Sequence, residues 1–467
     1  MTGVAADRGA TYPDSASVVI VGAGACGLTA AIAAREAGVD RVLVLERERA
    51  PFGNTSLSVG LVPVAGSRQQ RAGGIEDDPD RLIDDIMALS KGRADPAMTR
   101  LLAEQAAPTL NWLTDRHGIG FELVEYVHFP GHSVRRMHAA PGRAGAGLIG
   151  GLVRAATRIG VEIVTDRRVD TLFNLPDGCI SGVSVVAPDG GRHRTGCSAL
   201  VLACDGFGAN RALIRRYIPN MADAAFIGHE GSQGDALLWG FELGAATRHL
   251  SGHQAHGSVA LGSRLLVTWA VMLEGGFQVN LAGDRFGDEC VGFSEQAGRV
   301  LEQRDGVAWC VFDERVAVTA RQSDDFREVE AADEVVEGET LAALAAQIGV
   351  PADALERTLS TVADSAEGRA ADPFGRAFDP SLLLKPPYRA VKVTGALMHT
   401  QGGLVVDREA RVLLADGTPL PNLFAGGGAT AGVAGPEAGG YLPGMGLLTA
   451  LVLGRVAGTA VAEQVLS

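Results

Sequence analysis

The sequence has few of the features that mark a metal-bound, secreted or nucleic-acid-binding protein. Its six cysteines are scattered over 467 residues, with no C-x-x-C pair and no spacing suited to zinc, haem attachment or an iron–sulfur cluster. We therefore expect free thiols in a reducing compartment and no metal site. The formal charge of −14 at pH 7 disfavours binding to nucleic acid or to anionic membranes.

Long apolar segments are also missing. Residues 1–16 contain Asp7, Arg8 and Asp14 without the apolar core of a signal peptide, and no later run offers 18 apolar residues free of charge or glycine. These absences predict a cytoplasmic protein with no membrane insertion. Because 46% of the residues are hydrophobic, the chain is able to build a large core, and its length predicts two or three domains.

Residues 18–31 form the most informative stretch, and their pattern is typical of a buried strand, a glycine turn and a helix. Gly22 would allow the tight turn, and Gly24 would let backbone N–H groups approach a pyrophosphate. Gly27 would let the helix lie close to the sheet. The positive end of that helix would then face the phosphates.

Residues 41–46 predict the next buried strand, which ends in Glu46 about 20 residues beyond the glycine turn. The carboxylate of Glu46 is placed to accept both hydroxyls of an adenosine ribose that has no 2′-phosphate. The turn and this acid together predict dinucleotide binding. The small-residue loop 51–60 that follows is suited to passing close to the cofactor.

Two further strands are predicted at residues 179–186 and 199–204, with a turn at 188–191 between them. This order predicts a β-hairpin inserted into an α/β domain. Glycines return at 205–208, where the backbone at a strand end is able to approach a ligand closely.

Three blocks, residues 21–27, 203–210 and 401–458, resemble the fumarate reductase and succinate dehydrogenase flavoprotein family, which also contains the 3-ketosteroid dehydrogenases. The resemblance implies FAD as the cofactor. It also implies an α/β fold, in which a Rossmann-like FAD-binding domain with a parallel sheet and an inserted β-hairpin carries an inserted α+β capping domain. The implied domains are 1–250 and 400–467 for the two parts of the FAD-binding domain and 251–399 for the substrate cap.

The resemblance also implies which residues contact FAD, when it is carried over residue by residue. In such flavoproteins a helix that starts near Gly444 points its N-terminus at the isoalloxazine and stabilises the anionic reduced flavin. The implied FAD contacts are Gly22, Gly24, Ala25, Cys26, Gly27, Glu46, Arg47, Asn54, Thr55, Ser56, Ser58, Val169, Ala203, Cys204, Asp205, Gly206, Asn210, Gly427, Gly444, Met445, Gly446, Leu447 and Leu448.

The implied catalytic residues are His256, His399 and Tyr441. The two histidines match the positions beside the active site where the family's insertion begins and ends. In the ketosteroid dehydrogenases, a tyrosine and a nearby backbone N–H bind the carbonyl oxygen of the substrate, and Tyr441 resembles that tyrosine. The alternative is that each of these side chains only packs or shapes the cleft. His132 and His138, around Arg135 and Arg136, could also border the cleft.

Two arginines on which fumarate reductases depend are absent. The arginine that delivers the proton is matched by Phe293, and the arginine that clamps a substrate carboxylate is matched by Tyr441. A buried dicarboxylate without such bidentate partners would be poorly compensated. Fumarate and succinate are therefore poor candidates.

These features together predict an FAD-dependent oxidoreductase acting on CH–CH bonds of a small-molecule substrate. It would move a hydride between flavin N5 and carbon, forming or reducing a C=C bond conjugated to a carbonyl, with a ketosteroid-like ketone as one substrate class. Its electron donor or acceptor is unidentified. One alternative is a reductase of a small unsaturated carboxylic acid, with His256, His399 and Arg135 or Arg136 as anion partners. Another is a flavoprotein subunit that passes electrons to a separate partner.

Asn54 stands at the position where the family's covalent flavoproteins carry the histidine that bonds to the flavin, so FAD should be held noncovalently. Acid precipitation of the purified yellow protein should therefore release its FAD into the supernatant. The measurement is flavin absorbance in the supernatant and in the dissolved pellet. Flavin that stays with the denatured pellet would contradict this prediction.

Overall fold

The computed structural model of the protein describes residues 3–9, 11–125 and 128–467. The strands are β1 (Gly3–Ala6), β2 (Asp14–Val21), β3 (Val42–Leu45), β4 (Leu61–Pro63), β5 (Glu122–Leu123), β6 (Met137–Ala139), β7 (Glu162–Val164), β8 (Arg168–Asn174), β9 (Ile180–Val186), β10 (Arg192–Leu202), β11 (Ala225–Phe226), β12 (Thr247–Arg248), β13 (His253–Ala260), β14 (Phe277–Val279), β15 (Val307–Asp313), β16 (Val335–Gly338), β17 (Tyr388–Thr400), β18 (Gly403–Leu404), β19 (Arg411–Leu413) and β20 (Pro419–Ala425). The α-helices are α1 (Ala25–Glu36), α2 (Asn54–Leu57), α3 (Arg68–Ala72), α4 (Pro79–Leu89), α5 (Pro96–His117), α6 (Gly145–Arg158), α7 (Arg211–Tyr217), α8 (Asp235–Leu243), α9 (Ala270–Leu273), α10 (Phe293–Leu301), α11 (Glu314–Ala320), α12 (Asp324–Ala331), α13 (Leu341–Ile348), α14 (Ala352–Ala366) and α15 (Met445–Leu466).

The glycine turn lies at the carboxyl end of β2, inside the largest sheet. Within the described residues this sheet has nine strands in the order β1-β8-β9-β10-β2-β3-β7, with β20 pairing with β10 and β19 pairing with β20. Five of these strands, β20, β10, β2, β3 and β7, run parallel to one another. Their carboxyl ends therefore meet at one edge, which is where ligands bind in open α/β sheets.

The inserted hairpin is present. The strand β9 pairs antiparallel with β8 on one side and with the first residues of β10 on the other. The last residues of β10 leave the hairpin and pair with β2 and β20. The predicted α/β class, with a parallel sheet and an inserted hairpin, is thereby confirmed.

Helices α1 and α15 pack closely because α15 carries glycine at two contact positions. A Cβ on Gly454 would lie 2.5 Å from the carbonyl oxygen of Cys26, and a Cβ on Gly458 would lie 2.3 Å from that of Ala30. Among the described helices, α15 alone is long and apolar enough to cross a membrane by length and composition, and 61% of its most apolar window is buried inside the protein. We interpret α15 as a core helix.

The chain forms two compact units. The first comprises Met1–Ile218, Gly228–His253 and His399–Ser467, and the second comprises Pro219–Ile227 and Gln254–Met398. The second unit has its own mixed sheet, in which β17 pairs with β11, β13, β15 and β16. Residues 219–227 lie with this unit, not with the FAD-binding part to which the sequence assigned them, because β11 pairs with β17. The role of this unit as a substrate cap stays a prediction.

Candidate active site

The turn between β2 and α1 has room only for glycine at two positions. Gly22 has a φ of +104°, and a Cβ there would lie 2.4 Å from the carbonyl oxygen of Ala203. A Cβ on Gly27 would lie 1.9 Å from the carbonyl oxygen of Gly22. At Gly24, the nearest atom to an added Cβ is Thr55 Oγ1 at 3.6 Å. An added Cβ would thus make only an ordinary contact, and Gly24 is partly exposed, so the space beside its backbone suits a pyrophosphate.

The first turn of α1 offers backbone donors to this space. Its N-cap, Gly24, makes no side-chain hydrogen bond, and the N–H of Ala25 donates to Thr55 Oγ1 over 3.2 Å. Cys26 lies in the same turn, but its Sγ would be 2.6 Å from a Cβ on Gly426, and burial raises the pKa of its thiol to about 12. We expect Cys26 to contribute its backbone N–H and not its thiol.

Glu46 is buried just beyond the end of β3, beside the glycine turn. Its Oε2 accepts from the N–H of Ala23 at 2.8 Å, and its Oε1 accepts from the N–H of Glu48 at 2.9 Å. Each oxygen keeps a lone pair that is able to accept a ribose hydroxyl. The N–H of Arg167 donates to the Glu46 carbonyl oxygen over 2.7 Å, which brings the start of β8, with the buried Val169, close to this acid.

Arg47, the next residue, is held by protein groups. Its Nη1 donates to the carbonyl oxygen of Gly231 over 2.8 Å and lies 3.8 Å from Asp235 Oδ2. Its Nε lies 3.6 Å from Glu48 Oε1. Arg47 therefore fixes the loop 228–234 beside the end of β3.

Asn54 has both ends of its amide engaged within the first unit. Its Nδ2 donates to Asp205 Oδ2 at 2.5 Å and to Ser232 Oγ at 3.2 Å, and its Oδ1 accepts from the N–H of His229 at 2.7 Å. The side chain thus joins three segments of chain. The sequence analysis missed Ser232, for which the only local signal was a run with glycine at 228, 231 and 234.

The rest of the loop after β3 is held by its own hydrogen bonds. Ser58 Oγ donates to the carbonyl oxygen of Thr55 over 2.7 Å, and the N–H of Ser56 donates to that of Gly53 over 3.0 Å. A Cβ on Gly145, at the start of α6, would lie 1.7 Å from the Thr55 carbonyl oxygen. The backbone of this loop is therefore clamped between α6 and the first turn of α1.

The chain passes the turn a second time at the end of β10. The N–H of Ala203 donates to the carbonyl oxygen of Val21 over 2.9 Å, which extends the pairing with β2 up to the turn. Cys204 follows, and burial raises the pKa of its thiol. A Cβ on Gly206 would lie 2.2 Å from Thr400 Oγ1, so only glycine fits there.

Asn210 serves as the N-cap of α7. Its Oδ1 accepts from the N–H groups of Ala212 and Leu213, both at 3.2 Å, and its Nδ2 donates to the carbonyl oxygen of Gln233 over 2.9 Å. The side chain predicted to contact FAD is thus engaged by protein groups. Any contact of Asn210 with the cofactor would come from its backbone.

Asp205 and His399 form an ion pair between two passages of the chain by the glycine turn: the second crossing, residues 203–206 after β10, and the third crossing, residues 399–444. His399 Nε2 lies 2.8 Å from Asp205 Oδ1, and His399 Nδ1 lies 3.2 Å from the amide nitrogen of Gln401. Asp205 Oδ2 accepts from Ser232 Oγ at 2.6 Å as well as from Asn54. The two side chains keep 25% and 20% of their surfaces exposed.

Each residue of the pair shifts the pKa of the other. Burial alone would raise the pKa of Asp205, but the charge of His399 and the hydrogen bonds from His399 and Ser232 hold it well below its usual range. Burial alone would lower the pKa of His399, but the charge and the hydrogen bond of Asp205 raise it above its usual value. At neutral pH the structure therefore favours a carboxylate paired with an imidazolium.

The third crossing ends at the N-terminus of α15. Gly444 is the N-cap, with φ +83° and no side-chain hydrogen bond, and Tyr441 Oη would lie 3.6 Å from a Cβ on Gly446. Burial raises the pKa of Tyr441 to about 12, and the N–H groups of Gly446 and Gly444 partly oppose that rise. The phenol oxygen therefore lies against the positive end of a long helix.

Most of the other residues of the third crossing that were predicted to contact FAD pack into the protein core. Met445 and Leu448 are buried, and Leu447 packs against the same cluster. A Cβ on Gly427 would lie 3.1 Å from Cys26 Cβ, so this turn lies against the start of α1. The structure thus brings the residues predicted around the glycine turn together within the first unit.

The histidines and arginines around residue 135 have structural partners. Arg136 is buried and bound by two carboxylates, with Nη2 2.9 Å from Asp77 Oδ1 and Nη1 2.6 Å from Asp85 Oδ2. His138 is buried, its Nε2 lies 2.8 Å from Ser67 Oγ, and burial lowers its pKa to about 4. Arg136 is therefore already neutralised and is a poor anion partner.

His132 and Arg135 differ from these neighbours. His132 Nε2 lies 3.1 Å from the carbonyl oxygen of Pro443, immediately before the N-cap of α15, and burial lowers the pKa of His132 to about 4. A neutral imidazole donates to that carbonyl and steadies the turn. The side chain of Arg135 is exposed.

The second unit contains an aromatic trio around His256. The His256 ring stacks on Phe293, with centroids 5.3 Å apart, and meets Trp269 edge-on at 5.5 Å. Burial lowers the pKa of His256 to about 4, and its Nδ1 has no hydrogen-bond partner among the described residues. The trio is therefore uncharged at neutral pH, with one unpaired ring nitrogen.

Two buried arginines of the second unit, Arg285 and Arg376, are neutralised by carboxylates. Arg285 Nη2 lies 2.9 Å from Glu289 Oε2 and its Nη1 lies 2.5 Å from Asp372 Oδ2, while Arg376 Nη1 lies 2.9 Å from the same oxygen of Glu289. All four side chains are almost fully buried. This network has no carboxylate-binding arginine to spare.

Comparison with known proteins identifies an FAD-binding family, in agreement with the glycine turn and Glu46 described above. The family description "FAD binding domain" matches residues 17–441. A probable fumarate reductase, Ifc3, from Shewanella frigidimarina is 31% identical over 97% of this chain and 76% of its own length. The chain belongs to the fumarate reductase and succinate dehydrogenase flavoprotein family.

Two solved structures resemble this flavoprotein closely. The open conformation of a flavocytochrome c3 fumarate reductase superposes with a TM-score of 0.84 and 30% identity, over 98% of this chain and 79% of that one. The 3-ketosteroid-Δ4-(5α)-dehydrogenase from Rhodococcus jostii RHA1 superposes with a TM-score of 0.79 and 26% identity, over 99% of this chain and 100% of that one. The flavoprotein is thus an FAD-dependent oxidoreductase of CH–CH bonds, as the sequence predicted.

Glu46 offers a direct check on where the flavoprotein holds the adenosine half of FAD. Glu46→Ala should weaken FAD binding roughly 10- to 100-fold, because a hydrogen bond to a charged group contributes about 1.5–3 kcal/mol. The measurement is the FAD dissociation constant of deflavinated protein, by flavin fluorescence. The matched control, Glu409→Ala, removes an exposed carboxylate and should bind FAD like the wild type. Equal affinities for both variants would place the ribose elsewhere.

Proposed function

We propose that this flavoprotein forms or reduces a C=C bond conjugated to the carbonyl of an apolar cyclic ketone. The observation that carries the proposal is the position of Tyr441 Oη beside Gly446 at the N-terminus of α15. By resemblance, fumarate reductases place a carboxylate-clamping arginine there. A phenol donates one hydrogen bond, which suits a carbonyl oxygen better than a carboxylate.

The aromatic trio of the second unit supports an apolar substrate. His256 is neutral at pH 7 because burial lowers its pKa to about 4, and Phe293 and Trp269 surround it. The resemblance implies that His256 meets the substrate. In that role the trio would offer an aromatic surface with a single proton-accepting nitrogen and no positive charge for a carboxylate.

Each residue then has one task in the proposed reaction. FAD, when bound, accepts or donates the hydride at N5. Tyr441 donates its O–H to the substrate carbonyl oxygen as negative charge develops there, and the N–H of Gly446 makes that phenol a better donor. The resemblance implies that His256 meets the substrate, and in that role its neutral imidazole would exchange the proton at the neighbouring carbon. His399 is less suited to that exchange because Asp205 and Gln401 engage its ring nitrogens.

Two other functions deserve a test. A reductase of a small unsaturated carboxylic acid would be supported by the similarity to a probable fumarate reductase. Against it, Asp205 compensates His399, and Asp77 and Asp85 compensate Arg136. A subunit that passes electrons to a partner is suggested by the flavocytochrome, of which the chain covers 79%. The cytoplasmic location stays a prediction.

A substrate panel separates these functions. With the flavin reduced anaerobically, 4-androstene-3,17-dione or 2-cyclohexen-1-one should reoxidise it, and fumarate should do so very slowly or not at all. The reason is that neither Phe293 nor Tyr441 binds a carboxylate as an arginine would. The measurement is flavin absorbance against time after mixing. Fumarate turnover of roughly 1–1000 per second, typical of enzymes, would overturn the proposal in favour of the unsaturated acid.

Tyr441→Phe tests the carbonyl-binding role once a substrate is known. Removal of one oxyanion-type donor should lower kcat about 10²–10³-fold, while FAD content and Tm stay close to the wild type. The matched control is Tyr217→Phe, the same change in α7 of the first unit, which should leave kcat unchanged. If Tyr441→Phe keeps its kcat and loses stability or flavin instead, Tyr441 is a packing residue.

A further inference from the structure

The ion pair of Asp205 and His399 lies next to the backbone that forms the FAD cleft. Asp205 lies two residues after Ala203. The carbonyl oxygen of Ala203 occupies the space where a side chain on Gly22 would be. The backbone of Asp205 has a φ of +70°, which is uncommon for a residue other than glycine. The Asp205 carboxylate is thus carried by an uncommon backbone conformation two residues beyond the contact with the glycine turn.

Gly428 provides a second, independent observation. A Cβ on this residue would lie 2.2 Å from Asp205 Oδ1 and 2.8 Å from His399 Nε2. Its neighbour Gly427 lies against Cys26 in the first turn of α1. The backbone at Gly428 therefore lies close to Asp205 Oδ1 and His399 Nε2. Because residue 428 has no side chain, both atoms fit beside it.

The titratable and polar groups near the pair come from the end of β10, the loop 228–234, the start of α8 and the start of α2. From the end of β10 come Cys204 and Asp205, and from the loop 228–234 comes His229, whose Nε2 lies 3.6 Å from Glu48 Oε1. Asp235, at the start of α8, lies 3.8 Å from Arg47. Asn54 and Ser232 are neutral donors to Asp205. The only cation within hydrogen-bond distance of the Asp205 carboxylate, among the described residues, is His399.

We propose that Asp205 and His399 form one charge-compensated pair that sets the reduction potential of FAD. Each partner prevents the other from placing an uncompensated charge beside the cofactor. The inference goes beyond the proposed reaction, because it concerns FAD alone and holds whatever the substrate is. In this role both are positioning residues, and neither needs to touch the substrate.

Removal of each partner has an effect of opposite sign. His399→Gln leaves a lone carboxylate, which disfavours the more negative reduced flavin and lowers the potential. Burial raises the pKa of such a lone carboxyl, so the shift fades as the pH falls and Asp205 takes up a proton. Asp205→Asn leaves a partly buried imidazole without its carboxylate. Because burial lowers the pKa of His399 once Asp205 is gone, the imidazole is neutral at neutral and alkaline pH and becomes a lone cation only in acid, where it raises the potential.

The test measures the midpoint potential of the FAD-loaded protein by dye-coupled reductive titration between about pH 4 and about pH 9. The proteins are the wild type, Asp205→Asn, His399→Gln and the double variant. His399→Gln should make reduction at least tenfold less favourable in alkali, which is about 30 mV for a two-electron couple. Asp205→Asn should shift it the opposite way in acid, and the double variant should stay close to the wild type at every pH.

Three results would overturn the proposal. One is additive shifts, so that the double variant departs from the wild type by the sum of the single variants. Another is a change of Tm in all variants with no change of potential, which would make the pair purely structural. The third is that His229→Gln, the nearby histidine outside the pair, reproduces the shift of His399→Gln.

The same set of variants remains informative if the single variants lose FAD during purification. The FAD dissociation constants then replace the potentials, because an uncompensated buried charge also weakens the cleft. The proposal requires that His399→Gln bind FAD more weakly than the double variant in alkali, and that Asp205→Asn do so in acid. A double variant that binds more weakly than either single variant would overturn it.

Discussion

The contact between the glycine turn and the end of β10 is the constraint on which the first unit depends. The carbonyl oxygen of Ala203 occupies the space where a side chain on Gly22 would be, and the carbonyl oxygen of Gly22 does the same for Gly27. On its other side, α1 is met by α15 through Gly454 and Gly458. A helix held from both sides has a fixed N-terminus, so its backbone donors need no rearrangement to meet a phosphate.

Compensation of buried charge is the second theme of the molecule. Arg136 is neutralised by two aspartates in the first unit, and Arg285 and Arg376 share Glu289 in the second. Removing one partner of such a pair leaves an unpaired buried charge, which strongly lowers the stability of the fold. These three arginines therefore have no free charge to hold a dicarboxylate, which agrees with phenylalanine and tyrosine at the positions of the family's two substrate arginines.

Local patterns in the sequence were sufficient for the α/β class and for the glycine turn with Glu46 beside it, while the FAD contacts of these residues stay a prediction. The glycine turn, Glu46 and the inserted hairpin depend on short stretches whose spacing reflects strand and helix geometry. Contacts between residues that are distant in sequence could not be predicted from such local patterns. Ser232 and the N-cap role of Asn210 became visible only in three dimensions, and residues 219–227 joined the second unit through a two-residue strand. Such pairings are set by tertiary packing and leave no periodic signal.

The packing of α1 against α15 has a consequence for how the chain is made. Helix α1 leaves the ribosome early, but the glycines that receive it, Gly454 and Gly458, are synthesised only after the whole of residues 254–398. The second unit, whose sheet is built mostly from that single stretch, has its partners available sooner. During translation, the apolar face of α1 that contacts α15 therefore stays exposed until the end of the chain is synthesised. Chaperones are able to bind this face throughout that time.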